Sequence, residues 1–395
     1  MKKYISLLVL LLFCRICFPQ SISGVINNYA QVTAIAGTTI STASSAGFAP
    51  GDFILIIQMK GASVTTSNTA SYGDITSYNN AGNWEFAQIL SIAVNDITVA
   101  VPLTNTYTPS NGIVQLVTVP SFCDVTIIDT LKCKPFDGIT GGVLVFFSGG
   151  TVTLNADINV NGTGFRPGPA CNNGTFTCNN TGYFYNPNNC LAGWKGEAIA
   201  AYVNNPQSGG RAKLANGGGG SNRGNSGGGG GGNYGDGGLG GFEDNSCVAN
   251  SIQGIGGVGL DYTLGKIFLG GAGGGSSGDD GGVIFPGTAG GGIAIIAANT
   301  INPNGFSIRA EGVDQTGITH DEGTGGGGGG GVVCLDVQSV LSPMNVIVDG
   351  GDGGSIDNIA VPTGCQGPGG GGGGGTVWVR GAALPANVIV SANGG

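Results

Sequence analysis

The sequence predicts an all-β protein: a small N-terminal β domain followed by a repetitive β-solenoid-like domain with packed polyglycine II helices. Three observations carry that expectation. Glycine supplies 82 of the 395 residues and gathers into runs at 217–220, 227–232, 325–331 and 369–375. Glycine then leads repeatedly into an apolar strand and, after a turn, a second strand: 293–297 with 306–310, 332–337 with 345–349, and 376–379 with 387–391. Successive units start roughly 40 residues apart, a spacing of architectures in which each unit buries its apolar face on the next.

A glycine run has no side chain to bury and loses the most backbone entropy on ordering. Such a run is either a flexible linker or an extended left-handed helix packed so closely that neighbouring backbones hydrogen-bond one another. The strand pair recurring after each run favours the packed form, because a linker has no reason to repeat its flanks. Collagen is excluded, since glycine keeps no strict three-residue period.

In chain order, residues 1–20 read as a secretory signal peptide, with Lys2-Lys3, an apolar stretch at 5–13 and a short polar exit. Phe13 is too bulky to precede a lipidated cysteine at Cys14. No later stretch reaches the ~20 continuous apolar residues of a membrane helix, so no integral membrane segment is expected. Residues 21–121 form the N-terminal β domain, with short strands at 53–59, 86–92 and 96–101 bounded by turn residues such as Pro50-Gly51-Asp52. The polar stretch 65–83 is expected to be an exposed loop. Residues 122–395 form the glycine-rich repetitive β domain, interrupted at 165–206 by an irregular insert carrying Cys171, Cys178 and Cys190 with Tyr183, Phe184, Tyr185, Trp194 and Tyr202. Within it only 197–203 has a helical pattern.

The leader takes three of the 14 basic residues and none of the 23 acidic ones, so net charge falls from −9 to −12. That acidity excludes nucleic acid and anionic lipid as partners. Scarce charge and an ordinary apolar fraction exclude a highly charged disordered chain. Eight cysteines remain after processing: Cys123, Cys133, Cys171, Cys178, Cys190, Cys247, Cys334 and Cys365. An even count in an exported chain points to disulfides, although spacing does not reveal their pairing. No pair has zinc-knuckle spacing, and the single histidine, His320, lies apart from them.

Gly51-Asp52-Phe53-Ile54-Leu55-Ile56-Ile57-Gln58-Met59-Lys60-Gly61, then Gly82-Asn83-Trp84-Glu85-Phe86-Ala87, Lys195-Gly196-Glu197-Ala198-Ile199-Ala200 and the glycine clusters after Asn216 carry a resemblance. They resemble the glycine-rich N-terminal region of large adhesin-like surface proteins that gliding bacteria export through the type IX secretion system. The likeness covers nearly the whole mature chain and implies an extracellular, surface-attached protein with the secretion machinery as a partner. A looser likeness, in which a glycine run passes directly into a short strand as at 369–379, is to the glycine-rich region of anaplastic lymphoma kinase and to phage tail adhesins. It implies bundled polyglycine helices.

Acid/base chemistry wants paired carboxylates, or a carboxylate with a basic residue, held on a rigid strand face. Here Glu243-Asp244, Asp279-Asp280, Asp321-Glu322 and Asp349 with Asp352 all sit in glycine-rich turns with few cations beside them. The expectation is therefore a protein that is not an enzyme and has no catalytic residue, the alternative being a secreted β-solenoid polysaccharide-degrading enzyme. Hard oxygens on a flexible turn suit calcium, the one cofactor considered. Asp349-Gly350-Gly351-Asp352-Gly353-Gly354-Ser355-Ile356-Asp357 resembles the calcium-binding Gly-Gly-x-Gly-x-Asp repeat, with Asp352 too early and Ser355 where an aspartate belongs. Asp349, Asp352 and Asp357 are its candidate ligands. Nucleotide motifs fail, because no Gly-x-Gly-x-x-Gly match opens a helix after a strand. Tyr183, Tyr185 and Trp194 are the candidate ligand-binding residues, since aromatic faces stack on sugar rings; the competing reading is a small core beneath a disulfide-stapled insert. The function expected is a cell-surface adhesin or surface-structure component that presents polar loops on a stiff scaffold to a surface glycan or other cell-surface ligand.

Overall fold

A computed structural model describes residues 19–172, 179–201, 208–242, 252–279, 282–357, 366–379 and 383–395. Of the signal peptide expected at residues 1–20, residues 1–18 lie outside that set, and Gln20 opens the first strand. The first strand, β1 (Gln20–Val25), runs parallel to the later strand Val125–Lys132 and so belongs to the second half of the molecule. A domain that starts at residue 21 is corrected accordingly. Its closed barrel begins only with β2 (Tyr29–Ala36), β3 (Thr39–Thr42) and β4 (Phe53–Lys60).

A small hairpin follows, β5 (Ser63–Val64) with β6 (Ile75–Ser77), and then β7 (Trp84–Ala93), β8 (Asp96–Val99) and β9 (Ile113–Thr118) complete the barrel. Side chains alternate across a strand, and in β4 both faces are buried. Ile54 and Ile56 fill the barrel with Ile40, Ile97 and Leu116, while Leu55, Ile57 and Met59 pack outward on the glycine-rich half. That double burial explains the unbroken apolar run in β4. The stretch 65–83 is exposed at 66–71 but anchored beyond: Tyr72 is fully buried, and Ala215 and Lys213 hold the segment through a bond to Gly73 O and an ion pair to Asp74.

After β10 (Ser121–Phe122) and β11 (Val125–Lys132) the chain stacks coil on coil. In each, a long strand, β12 (Val143–Leu154), precedes a short one, β13 (Ile158–Asn159). Two glycine-bonded fragments, β14 (Cys171–Asn172) and β15 (Ser277–Gly278), pair across the insert. The next coils are β16 (Ile293–Asn302) with β17 (Ile308–Arg309), then, beyond β18 (Ile318–Thr319), β19 (Val332–Val340) with β20 (Met344–Ile347). Past β21 (Ser355–Ile356) the outermost coil is β22 (Thr376–Val379) with β23 (Val388–Ser391). Long strands lie parallel and in register, Val143 beside Ile293, Ile293 beside Val332, Val332 beside Thr376. The short strands stack likewise, and β11 joins the two ranks by pairing with both β12 and β13. Leu144, Phe146, Ile296, Val333 and Leu335 face the core between the ranks, whereas Val145, Phe147, Ile295 and Val332 face the barrel and the insert. Parallel strands buried on both faces read as continuous apolar runs.

The glycine runs fill the remaining interior and are bonded to one another. Gly227 and Gly230 donate to the carbonyls of Gly241 and Gly238, Gly228 and Gly231 to those of Thr324 and Gly327, and Gly229 and Gly232 to those of Gly219 and Asn216. Three donor directions recurring every third residue match the three-residue turn of a polyglycine II helix. The contact tolerates no side chain. An added Cβ on Gly326 falls 2.1 Å from Gly229 O, and one on Gly230 falls 1.9 Å from Gly371 O. Polar side chains close the run ends: Asn216 accepts from Ile199 N and donates to Gly232 O and Leu269 O, and Asn233 donates to Gly330 O.

These distances predict a graded response to Gly→Ala substitution. Gly326→Ala forces backbone apart and is expected to destabilise by more than about 3 kcal/mol. Gly305→Ala has nothing within 4 Å and only a left-handed φ of 86° to resist it, which costs about 1 kcal/mol. Denaturant midpoints of the two variants measure the difference.

Candidate functional site

The insert is assembled on a buried cation. Lys195 is 6% exposed, and its ammonium donates to Tyr183 O at 2.8 Å, Gly210 O at 2.7 Å and Ala212 O at 2.7 Å. It also lies 4.8 Å from the Tyr72 ring centroid. All three donors of the group are used. Burial, with the nearby Arg211 charge, pushes the lysine pKa well below its ordinary value; the three carbonyls and the ring stand in for the lost water. The barrel braces the same segment, since Tyr72 packs on Phe184 at 5.3 Å and Asn68 Oδ1 accepts from Tyr183 N at 2.7 Å. A disulfide between Cys171 and Cys190 ties down the far side.

On this base the three sequence-predicted aromatic residues come together, each half-buried. The Arg211 guanidinium lies 4.3 Å over the Tyr183 ring. Tyr185 and Trp194 form β-bridges to Gly209, one on each side. Gly209 packs closely between the two segments, since an added Cβ there falls 2.9 Å from Tyr185 O and 3.8 Å from Gly193 O. Tyr185 is fixed further by the hydrogen bond its hydroxyl accepts from Gly182 N at 2.7 Å, and burial raises its pKa. Sequence reasoning found the aromatics and missed Lys195, Arg211 and Gly209; a lysine set between Trp194 and Gly196 in a chain so poor in charge was the available signal.

Beside the insert, Glu197 joins the two halves of the molecule. Its carboxylate meets Lys60 of β4 at 3.2 Å and Arg166 Nε at 2.9 Å. Burial pushes its pKa up, but the Lys60 charge and the Arg166 hydrogen bonds and charge outweigh it, and the net shift is downward. Residues 197–201 are extended, not helical: Ile199 O accepts from Gly61 N and Ala62 N, and Ala201 N donates to Ala62 O. Residues 202 and 203 lie outside the described set.

The remaining expectations fare differently. Cys133 and Cys334 are corrected as disulfide candidates: both are buried free thiols in the apolar cores, where burial pushes each pKa up to about 12. Cys123 is disulfide-bonded. Cys178, Cys247 and Cys365 lie outside the described residues. Asp349, Asp352 and Asp357 are not brought together as a calcium cage. Asp349 accepts from Ser391 Oγ and Asn393 N, Asp352 N donates to Asp314, and Asp357 faces His320 at 3.6 Å. Among the described residues no group of three or more His, Cys, Asp or Glu is placed to hold a metal ion, and no helix is long and apolar enough to cross a membrane.

No protein-family model and no curated protein matches the chain, so the resemblance to type IX-exported adhesins gains no sequence support. Among solved structures it is similar to the Gp54 tailspike of Acinetobacter baumannii bacteriophage AP22, in complex with A. baumannii capsular saccharide. The identity is 11%, over 94% of this chain and 57% of the tailspike, with a TM-score of 0.20. It is also similar to the tailspike gp49 of Pseudomonas phage LKA1, at 10% identity over 95% and 67% of the two chains with a TM-score of 0.18. For the tailspike gp61 of Pseudomonas phage phi297 the values are 11%, 95%, 58% and 0.16. The chain thus spans little more than half of the first of these. The matches agree in kind with the looser likeness to phage tail adhesins, and at such TM-scores they carry no argument about mechanism.

The expectation that the chain is not an enzyme is corrected. Its structural neighbours are tailspikes, one of them holding a saccharide, and that company lends the exclusion of catalysis no support. Glu322 and Asp279 are buried, Glu322 accepts from Asp279 N at 3.1 Å, and the buried Arg223 feels the charge of Asp279. Glu243, Asp244 and Asp280 lie outside the described residues.

The lowered Glu197 pKa sets a pH dependence. A carboxylate whose folded pKa lies below its unfolded value stabilises fully above the ordinary glutamate range and loses that contribution as pH falls through the folded value. Glu197→Gln is therefore expected to melt below the parent protein at pH 7, with the two melting temperatures converging under strongly acidic conditions.

Proposed function

We propose that the chain is an extracellular surface-binding module that recognises a glycan through the Tyr183, Tyr185 and Trp194 face of its insert. The observation that carries this reading is that Tyr185 and Trp194 both bridge to Gly209, which brings their segments side by side. An apolar ring with a polar tip suits a sugar, which offers C–H groups to the ring and hydroxyls to the rim. Arg211 supplies donors at that rim. Rigidity supports the reading further, because a face preformed by Lys195, Tyr72 and the Cys171–Cys190 bond loses little entropy when a ligand arrives. Export by a secretion apparatus and attachment to a surface belong to the same proposal, with the leader expected from the sequence and the Cys171–Cys190 disulfide in its support.

Titration calorimetry against a panel of bacterial capsular and exopolysaccharides tests the face. Trp194→Ala is expected to weaken binding about tenfold or more, as loss of an aromatic stack does, with the melting temperature within a few degrees of the parent. No binding to any polysaccharide, or binding indifferent to Trp194→Ala and Tyr185→Ala, overturns the reading. A second reading, cleavage of the bound polysaccharide, is favoured by two buried acids, Glu322 accepting from Asp279 N and Asp279 acting by its charge on the buried Arg223. It predicts shortened polysaccharide on incubation with the parent protein and intact polymer with Asp279→Asn.

A further inference from the structure

The charge of the chain is unevenly spread. Five of its 14 basic residues and one of its 23 acidic ones lie between residues 165 and 223, so this segment carries +4 in a sequence whose net charge is −9. Three of those cations stand within reach of a carboxylate. Arg166 meets Glu197, Lys213 meets Asp74 at 2.7 Å, and the buried Arg223 feels the charge of Asp279. Lys195 and Arg211 are placed differently, since both stand at the aromatic residues of the insert.

Three chain segments meet at that point. Tyr185 N donates to Gly209 O and Ala212 N to Tyr183 O, while Gly210 N donates to Gly193 O and Lys195 N to Ser208 O, so residues 208–212 lie between 183–185 and 193–195. The Lys195 ammonium is held by the carbonyls of Gly210 and Ala212, the chain neighbours of Arg211, and by that of Tyr183, whose ring takes the Arg211 guanidinium at 4.3 Å. Neutral carbonyls solvate the ammonium without cancelling its charge. The charge of Arg211, itself half-buried, reaches both Lys195 and the Tyr185 hydroxyl. Two cations thus act on one aromatic cluster, where burial strengthens their field.

We infer that the glycan taken by this face is an acidic one, whose sugar carboxylate meets the Arg211 guanidinium while a sugar ring lies against Tyr185 or Trp194. The inference rests on the glycan-binding reading above and adds the substrate class to it. A guanidinium carries five N–H donors in a planar fork that matches the two oxygens of a carboxylate, so it serves a ligand in addition to its partners within the protein. Contact with the Tyr183 ring holds that fork in place. Lys195 adds its field without touching the ligand, because its three donors are engaged. A nucleic acid also offers rings and negative charge, but a phosphate at every residue would meet the acidity of the rest of the chain. An acidic polysaccharide with one carboxylate in a repeat of several sugars brings its charge to Arg211 alone.

The test is titration calorimetry of the whole chain at low salt with oligosaccharides of gellan and xanthan, each also after reduction of its carboxylates to alcohols, and with dextran as a neutral polymer. The acidic forms are expected to bind about tenfold or more tightly than their reduced counterparts, and the preference to shrink as salt is raised. Arg211→Gln should remove the preference, and Arg211→Lys, which keeps the charge without the fork, should restore part of it. The comparison of acidic with reduced ligand uses the unaltered protein, so it stands even where a variant folds poorly. Equal affinity for acidic and reduced forms, or a preference that survives in Arg211→Gln, overturns the inference and leaves the glycan-binding reading standing where Trp194→Ala still weakens binding. Binding to none of the polymers overturns both. A single-stranded oligonucleotide that displaces the acidic glycans and binds more tightly overturns the inference too, because the ligand is then a nucleic acid.

Discussion

Amide-to-carbonyl hydrogen bonds between glycine runs are the constraint on which the rest of this structure depends. A run bonded in three directions satisfies its backbone completely, yet it removes no side chain from water, so the lattice supplies order without a hydrophobic driving force. That driving force comes from the strand pairs. Each coil carries a run and two apolar strands in one covalent unit, and stacking the strands in register sets the runs at the spacing where their backbones meet. The parallel register from Val143 through Ile293 and Val332 to Thr376 and the glycine contacts are thus two expressions of one repeat. Any residue with a Cβ inside a run would part the coils and break both.

A lattice of this kind is stiff but featureless, which is why recognition falls to what interrupts it. The insert leaves the stack after β13 and returns to it through Asn216, whose amide satisfies groups on three segments at once. Between those points the chain has little regular secondary structure, so its shape rests on single strong contacts: Lys195 on three carbonyls, Glu197 between Lys60 and Arg166, and the Cys171–Cys190 bond. Placing charge at low dielectric demands such complete pairing, and a segment so pinned holds its aromatic side chains without help from a sheet. In a chain with few charged residues, the buried ones mark where irregular backbone had to be held.

The grammar of glycine run, long strand and short strand was legible because period and composition reveal it locally, and the all-β class follows from that. What stayed hidden depends on contacts distant in sequence. β1 joins β11 across about a hundred residues, and nothing in Gln20–Val25 distinguishes a barrel strand from an edge of the long sheet. Residues 197–201 have helical spacing, but Ile199 O is taken by Gly61 N and Ala62 N just after β4 and Glu197 O by Ala272 N, a tertiary override of a local pattern. Cysteine counting failed at Cys133 and Cys334 because both fill apolar core positions, where a thiol packs as a small hydrophobe. The aromatic residues were visible as a composition, whereas the bridging of Tyr185 and Trp194 to Gly209, one glycine among 82, was not.

Stacks of this kind have two ends, and here the ends are chemically unlike. At the first, β11 turns the corner between the ranks, β1 lies along it, and the barrel packs Leu55, Ile57 and Met59 against the long strands, so the start of the stack is covered. At the other end β22 and β23 are strands of four residues each and carry no charge, and short length is one of the means by which exposed edges are commonly blunted.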